Sequence, residues 1–374
     1  MRSEWKECQL GDLITFQRGH DLPKTKMQGG EYPVVGSNGI IGYHNEYTTE
    51  APSITIGRSG NVGKPFLFKG KSWSHNTSLY IKEYKTVDPI FIFYFLQTLD
   101  LGNYACGSAV PTLNRNHIHT LNVFVPTNIS EQHKIGSVLS AIDDKIELNT
   151  AINGNLEQQA QALLMEYMNR YSYSLEPLST IAEVIDCLHS KKPERVDNSN
   201  RQLLQLENIK DNGFLDLSYQ FMISESDYNN WTRKCEIHEG DCVITNVGRI
   251  GAVAQAPRGT YVAMGRNMTC IRLKPQYRIP AFLITVLLSE HMKREIRYNT
   301  DEGTIMGALN VKNIPKLQFP LFEEKVIYKL ESLLYALRKQ FEENSLQNQR
   351  LAALRDTLLP KLMNGEIDVS AVQI

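Results

Sequence analysis

The 374-residue sequence predicts an α+β protein with two mixed, mostly β domains and two long coiled-coil helices, and with an internal duplication. Two observations lead to this fold class. Apolar residues recur at alternating spacings of three and four over two long stretches, which is the pattern of a coiled-coil seam. The segments that precede these stretches match each other loosely but in order, which indicates a duplicated unit.

The first seam predicts a central long helix over 129–170, and the second predicts a C-terminal long helix and tail over 322–374. At about 1.5 Å per residue, each helix would be roughly 55–60 Å long. An apolar stripe this narrow favours pairing of the two helices with each other over packing on a globular core. The seam positions are Ile135, Val138, Ile142, Ile146, Ile152, Leu156, Ala160 and Leu163, then Ile327, Leu330, Leu334, Leu337, Phe341, Leu351, Leu354 and Leu358.

The duplicated segments run from about residue 10 to 168 and from about 178 to 363. Two copies of this length exclude a solenoid, whose repeats are about 20–50 residues long. Each copy has a Leu-Asn pair after a glycine, for which we favour a buried Leu and a capping or turning Asn. The matched residues are Gly60 with Gly248, Gly63 with Gly251, Asn76 with Asn267, Leu113 with Leu309, and Asn114 with Asn310.

Domain boundaries are predicted at 1–128 for the first domain and 171–321 for the second. Short β-branched and aromatic runs between Gly and Asn turns predict the strands of both domains. Pro89 and Pro280 each begin a segment with helical spacing, so each domain is predicted to add one helix, the second reaching about Ile296. The strand-forming runs are 32–35, 53–56, 79–81, 241–245 and 268–273.

Composition favours an ordinary globular protein, with 42% hydrophobic and 22% charged residues. The start of the chain has no apolar run of signal-peptide length, and no stretch reaches the roughly 18 apolar residues of a membrane span. We therefore expect a cytoplasmic protein. The six cysteines are scattered without a Cys-x-x-Cys pair, which predicts neither a zinc site nor a disulfide framework.

Positive charge is concentrated in two acid-free segments, 51–82 and 242–274, although the formal net charge of the chain is −1. Such segments suit the phosphates of nucleic acid. Arg side chains read guanine and Asn side chains read adenine, whereas Lys binds phosphate. Each polar residue in these segments could therefore contact a base, or could instead only stabilise a turn or lie on the surface. The candidate DNA-binding residues are Arg58, Asn61, Lys64, Lys71, His75, Asn76, Asn246, Arg249, Arg258, Arg266 and Asn267.

Motifs for catalysis do not fit the sequence. The glycines before Lys64 have the wrong count for a phosphate-binding loop, and Pro65 follows where Ser or Thr would hold magnesium. The segment that starts at Asp88-Pro89 lacks the second Pro of a methyltransferase motif, and no carboxylates cluster as in a metal-dependent nuclease. The sequence therefore predicts no catalytic residue and no metal site.

Four features in this order resemble one known family, the specificity (S) subunit or HsdS family of type I restriction-modification systems. The resemblance covers nearly the whole chain. The second copy departs from it, because it lacks the Trp and the Gly-Asp pair that open the first. The features are Trp5 with Leu10-Gly11-Asp12 and Gly19; the two Leu-Asn segments; Glu131-Gln132 with Ile142-Asp143-Asp144-Lys145-Ile146; and the ending Leu354-Arg355 to Asn364-Gly365-Glu366-Ile367.

This resemblance implies an α+β fold with pseudo-two-fold internal duplication, in which two long antiparallel coiled-coil helices separate the two mixed, mostly β domains. It also implies a non-catalytic subunit whose two target recognition domains each read one half of a bipartite site in double-stranded DNA. It implies docking of two methyltransferase (M) subunits on the coiled coil, and of two restriction (R) subunits in the complete enzyme. No cofactor is implied for the chain itself, whereas S-adenosylmethionine, ATP and Mg are expected in the partner subunits. Rival interpretations are a chain with its own methyltransferase or nuclease activity, and a coiled-coil scaffold that binds only protein.

Two asparagines interrupt the seams near their midpoints. Asn149 lies seven residues from both Ile142 and Leu156, and Asn344 lies seven from both Leu337 and Leu351. Because the midpoints of antiparallel helices face each other, we expect Asn149 and Asn344 to lie close together and to fix the coiled-coil register, as a buried polar residue can.

Overall fold

The computed structural model describes residues 4–107, 111–301 and 307–372, and the chain divides into two compact units. Unit 1 consists of Met1–Ile146 and Arg350–Ile374, and unit 2 is Glu147–Gln349. Each unit is α+β and contains part of both long helices, which agrees with the predicted fold class. None of the helices in the described part of the chain combines the length and the hydropathy that crossing a membrane requires.

In the residues that the structure describes, unit 1 contains eleven strands, three short helices, the beginning of the first long helix and the end of the second. The helices are α1 (Leu10–Leu13), α2 (Pro89–Gln97), α3 (Arg115–His119) and α4 (Ile129–Arg170), the last of which continues into unit 2. The strands are β1 (Trp5–Gln9), β2 (Ile14–Arg18), β3 (Tyr32–Gly36), β4 (Gly39–His44), β5 (Ser53–Gly57), β6 (Pro65–Phe68), β7 (Trp73–Ser74), β8 (Ser78–Tyr84), β9 (Ala105–Cys106), β10 (Thr112–Leu113) and β11 (Asn122–Pro126).

Over its described residues, unit 2 contains twelve strands, three short helices and the remaining parts of both long helices. Its helices are α5 (Glu225–Trp231), α6 (Pro280–Leu287), α7 (Glu290–Tyr298) and α8 (Glu324–Met363), and the end of α8 returns to unit 1. Its strands are β12 (Tyr173–Pro177), β13 (Ala182–Asp186), β14 (Arg201–Gln202), β15 (Met222–Ile223), β16 (Glu236–His238), β17 (Cys242–Thr245), β18 (Val253–Gln255), β19 (Tyr261–Ala263), β20 (Met268–Leu273), β21 (Thr300–Asp301), β22 (Ala308–Leu309) and β23 (Gln318–Phe322).

The central sheets of the two units have the same topology. The strand order is β2-β8-β5-β6 in unit 1 and β13-β20-β17-β18 in unit 2, and every neighbouring pair is antiparallel. Register agrees as well, because Gly57 pairs with Ser78 as Thr245 pairs with Met268. The internal duplication predicted from the sequence is therefore present in the backbone pairing.

The helix predicted from Pro280 to about Ile296 is wrong in one respect, because the structure has two helices there. Chain direction changes at Ser289, whose hydroxyl accepts a hydrogen bond from the Met292 backbone N–H at 3.3 Å and so caps α7. Serine is a favoured N-cap because its side-chain oxygen satisfies a backbone donor that the first turn leaves open. The equivalent helix of unit 1, α2, remains a single helix as predicted.

Both long helices pair antiparallel within each unit. In unit 2, Asn149 of α4 contacts Asn348 of α8, and Asn153, one turn later in α4, contacts Asn344, one turn earlier in α8. In unit 1, the Asp143 carboxylate of α4 pairs with the Arg355 guanidinium of α8 at 2.7 Å. The predicted antiparallel arrangement is thus present where the two helices meet.

The long helices also supply side chains to the domain cores, which the narrow apolar stripe did not lead us to expect. In unit 1, Ile135 and Leu139 of α4 are fully buried together with Phe91 of α2. In unit 2, Leu330 and Leu334 of α8 are buried in the cluster that holds the central sheet and α6. Each unit therefore rests on a stretch of helix by ordinary hydrophobic packing.

The first turns of the equivalent helices α2 and α6 are capped by different parts of the chain. In unit 1, the Asp88 carboxylate accepts the backbone N–H groups of Ile90 and Phe91, both at 2.9 Å. In unit 2, Ile279 takes the N-cap position and has no capping oxygen. The equivalent donors, Ala281 and Phe282, are bound at 3.2 and 2.7 Å by the carboxylate of Glu331, which lies on α8.

Glu331 makes the stability of unit 2 depend on pH. Burial raises the pKa of Glu331 to about 7, although its two backbone hydrogen bonds oppose this. The folded chain therefore keeps a proton that the unfolded chain loses near pH 4.5, and this stabilisation is lost as pH rises through 7. We expect the free energy of unfolding to fall by about 2–3 kcal/mol between pH 4.5 and 8 from this group.

Denaturant unfolding of Glu331→Gln and of the parent at a series of pH values measures the effect. The Glu331→Gln chain should lose most of the fall, because its amide does not titrate. Glu343→Gln, a change at an exposed position of the same helix, should keep it. Parallel pH profiles for Glu331→Gln and the parent would contradict the assignment.

Candidate nucleic-acid interface

The glycine-rich segment of unit 1 forms a tight loop directly after strand β5. Gly60 and Gly63 have positive φ values of 83° and 78°, a conformation that side chains disfavour. The Gly63 N–H donates to the Gly57 carbonyl at 2.8 Å and closes the loop. A Cβ atom at Gly63 would lie 2.4 Å from the backbone nitrogen of Gly102, so this position must be glycine.

Unit 2 has the same loop after the equivalent strand, β17. Gly248 and Gly251 have φ values of 85° and 76°, and the Gly251 N–H donates to the Thr245 carbonyl at 2.9 Å. Bulky residues are excluded at Gly251, because a Cβ atom there would lie 2.7 Å from the Ile296 side chain. The glycine pairs that the sequence placed opposite each other are therefore structurally equivalent.

The Leu-Asn pairs hold these loops in place through backbone hydrogen bonds. The Leu113 and Leu309 N–H groups donate to the carbonyls of Arg58 and Asn246, the first loop residue of each unit, at 2.9 Å in both cases. Both leucines are 1% exposed. Asn114 caps α3, since its side-chain oxygen accepts the Asn116 N–H at 3.0 Å. The expected buried Leu and capping Asn are confirmed, and the role of the leucine backbone was missed.

The sequence match of Asn76 with Asn267 is wrong by one residue. Arg58 donates its N–H to the Thr77 carbonyl at 2.8 Å, and the equivalent Asn246 N–H donates to the Asn267 carbonyl at 2.8 Å. Thr77 is therefore the counterpart of Asn267. Each precedes the first residue of its strand, β8 or β20.

Three candidate residues of unit 1 are presented by the loop itself. Asn61 and Lys64 are exposed, and the Lys64 ammonium lies 5.8 Å from the centre of the Phe66 ring. Arg58 is half-buried, and its guanidinium reaches the Asn76 carbonyl at 3.5 Å, which is a long contact. These three side chains lie within seven consecutive residues and leave polar groups available to a ligand.

The other candidates of unit 1 are engaged by neighbours. The Lys71 ammonium donates to the Tyr47 hydroxyl at 2.9 Å and pairs with Glu50 at 3.0 Å, and these hydrogen bonds raise the pKa of Lys71. Asn76 donates its amide to the Asp21 carboxylate. His75 lies 3.1 Å from the Thr77 hydroxyl through its Nδ1 atom. These contacts hold the segment that leads into β8.

In unit 2, two candidate residues of the equivalent loop form hydrogen bonds within the protein. Asn246 is 7% exposed, donates to the Leu309 carbonyl at 3.1 Å and accepts from the Thr269 hydroxyl at 2.9 Å. Arg249 donates to the Ile209 carbonyl at 2.6 Å and pairs with Asp211. Both side chains tie the loop to its own unit, which the sequence alone did not indicate.

Three further candidates of unit 2 are exposed, namely Arg258, Arg266 and Asn267. Asn267 has a φ of 61°, which places the Arg266–Asn267 turn in a left-handed conformation that asparagine tolerates. Arg272 belongs to the same acid-free segment, but its guanidinium pairs with the buried Asp241 at 2.5 Å, and these hydrogen bonds raise the pKa of Arg272. The number of basic residues in this acid-free segment is therefore larger than the number of unpaired positive charges that it exposes to solvent.

Asn149 and Asn344 lie in one polar layer of unit 2, each opposite a residue one turn from the expected partner. The Asn149 amide donates to Gln347 at 2.7 Å and to Asn348 at 2.9 Å. The Asn344 amide donates to the Asn153 side-chain oxygen at 2.9 Å. Asn149 and Asn344 are 1% and 6% exposed, so the layer is a buried polar interruption of the seam.

One group of metal-ligating side chains occurs among residues 4–107, 111–301 and 307–372. The donor atoms of Asp186, Cys187 and His189 lie within 4.8 Å of one another. Asp186 and His189 already pair at 2.8 Å, and burial raises the pKa of the Cys187 thiol, which disfavours the thiolate that a metal needs. We assign no metal to this group.

Comparisons with known proteins agree with the geometry. Residues 2–158 match the family model of the type I restriction modification DNA specificity domain. The chain is 28% identical over 146 residues to the EcoprrI specificity subunit of Escherichia coli, a match that covers 37% of this chain and only 36% of that relative. It is 21% identical over 359 residues to the HindI specificity subunit of Haemophilus influenzae, covering 75% of this chain and 77% of the relative.

The fold has a solved counterpart. The S subunit of a type I restriction-modification system from M. genitalium superposes with a TM-score of 0.67 at 16% identity, covering 96% of both chains. Each unit repeats the same sheet topology and has an equivalent glycine loop, so the fold is that of an internally duplicated α+β protein with two long helices. The chain is thus similar to specificity subunits of type I restriction-modification systems, through the family model that residues 2–158 match and through the relatives named above.

Proposed function

We propose that the chain is the DNA sequence-recognition subunit of a type I restriction-modification enzyme. Each unit reads one half of a bipartite site in double-stranded DNA, and the paired long helices dock methyltransferase subunits. The observation that carries this proposal is that the two units share one loop geometry but differ in the side chains on it. The glycines have the same conformation in both loops, whereas Arg58, Asn61 and Lys64 of unit 1 are equivalent in position to Asn246, Arg249 and Ala252 of unit 2.

Different side chains on equivalent loops are what two readers of different half-sites require, because base edges are distinguished by donor and acceptor groups. The exposed candidates Asn61 and Lys64 in unit 1, and Arg258, Arg266 and Asn267 in unit 2, are the first residues to test for DNA contact. Arg58 is the third test residue of the unit 1 loop. The engaged residues Asn246 and Arg249 shape the loop of unit 2 instead.

The chain has no catalytic role of its own in this proposal. S-adenosylmethionine belongs to two methyltransferase subunits, and ATP and Mg belong to two restriction subunits in the complete enzyme. The rival interpretation, a chain with its own methyltransferase or nuclease activity, gains no support from the family match.

Methylation mapping tests the proposal. The chain is co-expressed with the methyltransferase subunits of its own host, and methylated positions are read on a random-sequence DNA library. Two short motifs at a fixed spacing are expected, and replacing residues 1–128 by those of another family member should change only one of them. Methylation without a shared motif would contradict the proposal, and methylation by the purified chain alone would establish the rival.

A further inference from the structure

Unit 1 carries an exposed apolar patch on the hairpin of strands β3 and β4. Ile40, Ile41 and Tyr43 are 52%, 37% and 50% exposed, although they belong to a strand. An alternating strand would bury one of two consecutive isoleucines. Here both face solvent, so β4 departs from the simple alternation of a strand.

A β-bulge causes this exposure. Val35 pairs with Ile40 and Val34 with Gly42, which leaves Ile41 as an extra residue on β4. Such a bulge turns an additional side chain outward, increases the local twist and disturbs the edge of the sheet. Strand β4 is the edge of the β4-β3-β7 sheet, and the bulge makes this edge a poor template for a further strand. The patch is therefore unsuited to pairing with a peptide or with a second copy of the chain.

The hairpin adjoins the glycine loop of unit 1. A Cβ atom on Gly60 would lie 3.3 Å from the Ser37 hydroxyl in the hairpin turn. A Cβ atom on Gly39 would lie 3.7 Å from the Phe66 ring, over which the Lys64 ammonium sits. The turn and the loop that presents Asn61 and Lys64 thus form one continuous surface.

Lysines border the apolar patch on two sides, whereas the exposed Glu31 and Glu46 lie at the far end of the hairpin, away from its turn. Lys64 lies on the glycine-loop side. On the other side, Met27 packs against Gly42, and the exposed Lys24 and Lys26 precede Met27 in a 3-10 turn. Apolar side chains bordered by lysines fit a ligand that offers methyl groups between rows of phosphates. In DNA the thymine methyl group lies in the major groove, which is wide enough for a two-stranded β-ribbon.

We propose that the β3–β4 hairpin enters the major groove and that Ile40 and Ile41 contact the 5-methyl group of a thymine in the half-site of unit 1. This inference rests on the proposed function and adds a reading element that carries no hydrogen-bonding group. Lys24, Lys26 and Lys64 hold the phosphates on either side. The glycine loop and the hairpin would then read neighbouring base pairs.

Thymine-to-uracil replacement tests the contact, because it removes only the methyl group. The full chain assembled with its methyltransferase subunits is titrated with target duplexes in which each thymine of this half-site is replaced singly by uracil. Affinity should fall about fourfold at one thymine, the effect of withdrawing one methyl group from an apolar contact. The Ile40→Ala/Ile41→Ala variant should bind thymine and uracil duplexes equally, and the thymine duplex about tenfold more weakly than the parent.

Leu175→Ala is the matched control, because Leu175 is 48% exposed on strand β12 of unit 2 and should leave the uracil effect unchanged. Equal affinity of the parent for thymine and uracil at every position would overturn the inference. So would a uracil effect that survives in the double variant, or a half-site without an A·T pair. A bipartite motif that persists with any of these results leaves the proposed function standing, whereas the absence of a motif contradicts the proposed function itself.

Discussion

Asn153→Leu is expected to lower the free energy of unfolding of unit 2 by about 2–4 kcal/mol, because it leaves buried polar groups without partners. Asn153 is 5% exposed and donates to the Phe341 carbonyl at 3.1 Å and the Ser345 hydroxyl at 3.0 Å. It also accepts the Asn344 amide at 2.9 Å. Chemical denaturation of the purified chain measures the loss.

A second substitution distinguishes lost hydrogen bonds from a packing defect. Adding Asn344→Leu removes the orphaned amide and places two apolar side chains opposite each other, so part of the lost stability should return. Asn155→Leu is the matched control, since Asn155 is exposed on the same helix, and it should change stability by less than about 0.5 kcal/mol. A double variant that is less stable than the sum of its single variants would refute this account.

Replacing Arg58 and Lys64 together by alanine is expected to weaken DNA binding by the assembled complex about 10- to 100-fold at physiological salt. The slope of log affinity against log salt should also become shallower by about two, because two phosphate contacts are lost. Fluorescence titration on the target duplex at several salt concentrations gives both quantities.

The comparison with Lys71→Ala makes this prediction specific. Because Glu50 already pairs with Lys71 at 3.0 Å, removing Lys71 should change the salt slope by well under one. Lys6→Ala/Lys145→Ala removes the same total charge at exposed positions outside the loop and should leave the slope near that of the parent. Equal slopes for the loop variant and this control would show that the loop does not contact phosphate.

Features that depend on local sequence pattern were predictable here. The heptad spacing predicted α4 and α8, and the glycine pairs predicted two equivalent loops, because periodicity and φ preference are properties of short segments. The capping role of Asn114 could be predicted for the same reason. Such features give the fold class and the location of the candidate interface.

Features that depend on distant partners were not predictable. Arg249 and Asn246 look like DNA-reading residues in the sequence, but their partners Asp211 and Leu309 lie about 40 and 60 residues away. Asn149 and Asn344 were expected to face each other, but each faces a residue one turn further along the partner helix. Heptad spacing defines which face of a helix forms the seam, but it does not define how far the partner helix is shifted along it. The DNA-binding assignments themselves stay predictions.

The caps of α2 and α6 come from different parts of the chain, so the two domains should differ in how well they tolerate transfer into another protein. A segment of residues 1–128 carries Asp88 and takes its helix cap with it when it is recombined into another family member. A segment of residues 171–321 leaves Glu331 behind and depends on the recipient's long helix for a carboxylate at that place. The capping carboxylate should therefore be present with the first half in any recipient, where residues at the positions of Gln132 and His133 hold it, and with the second half only in recipients that supply this acid.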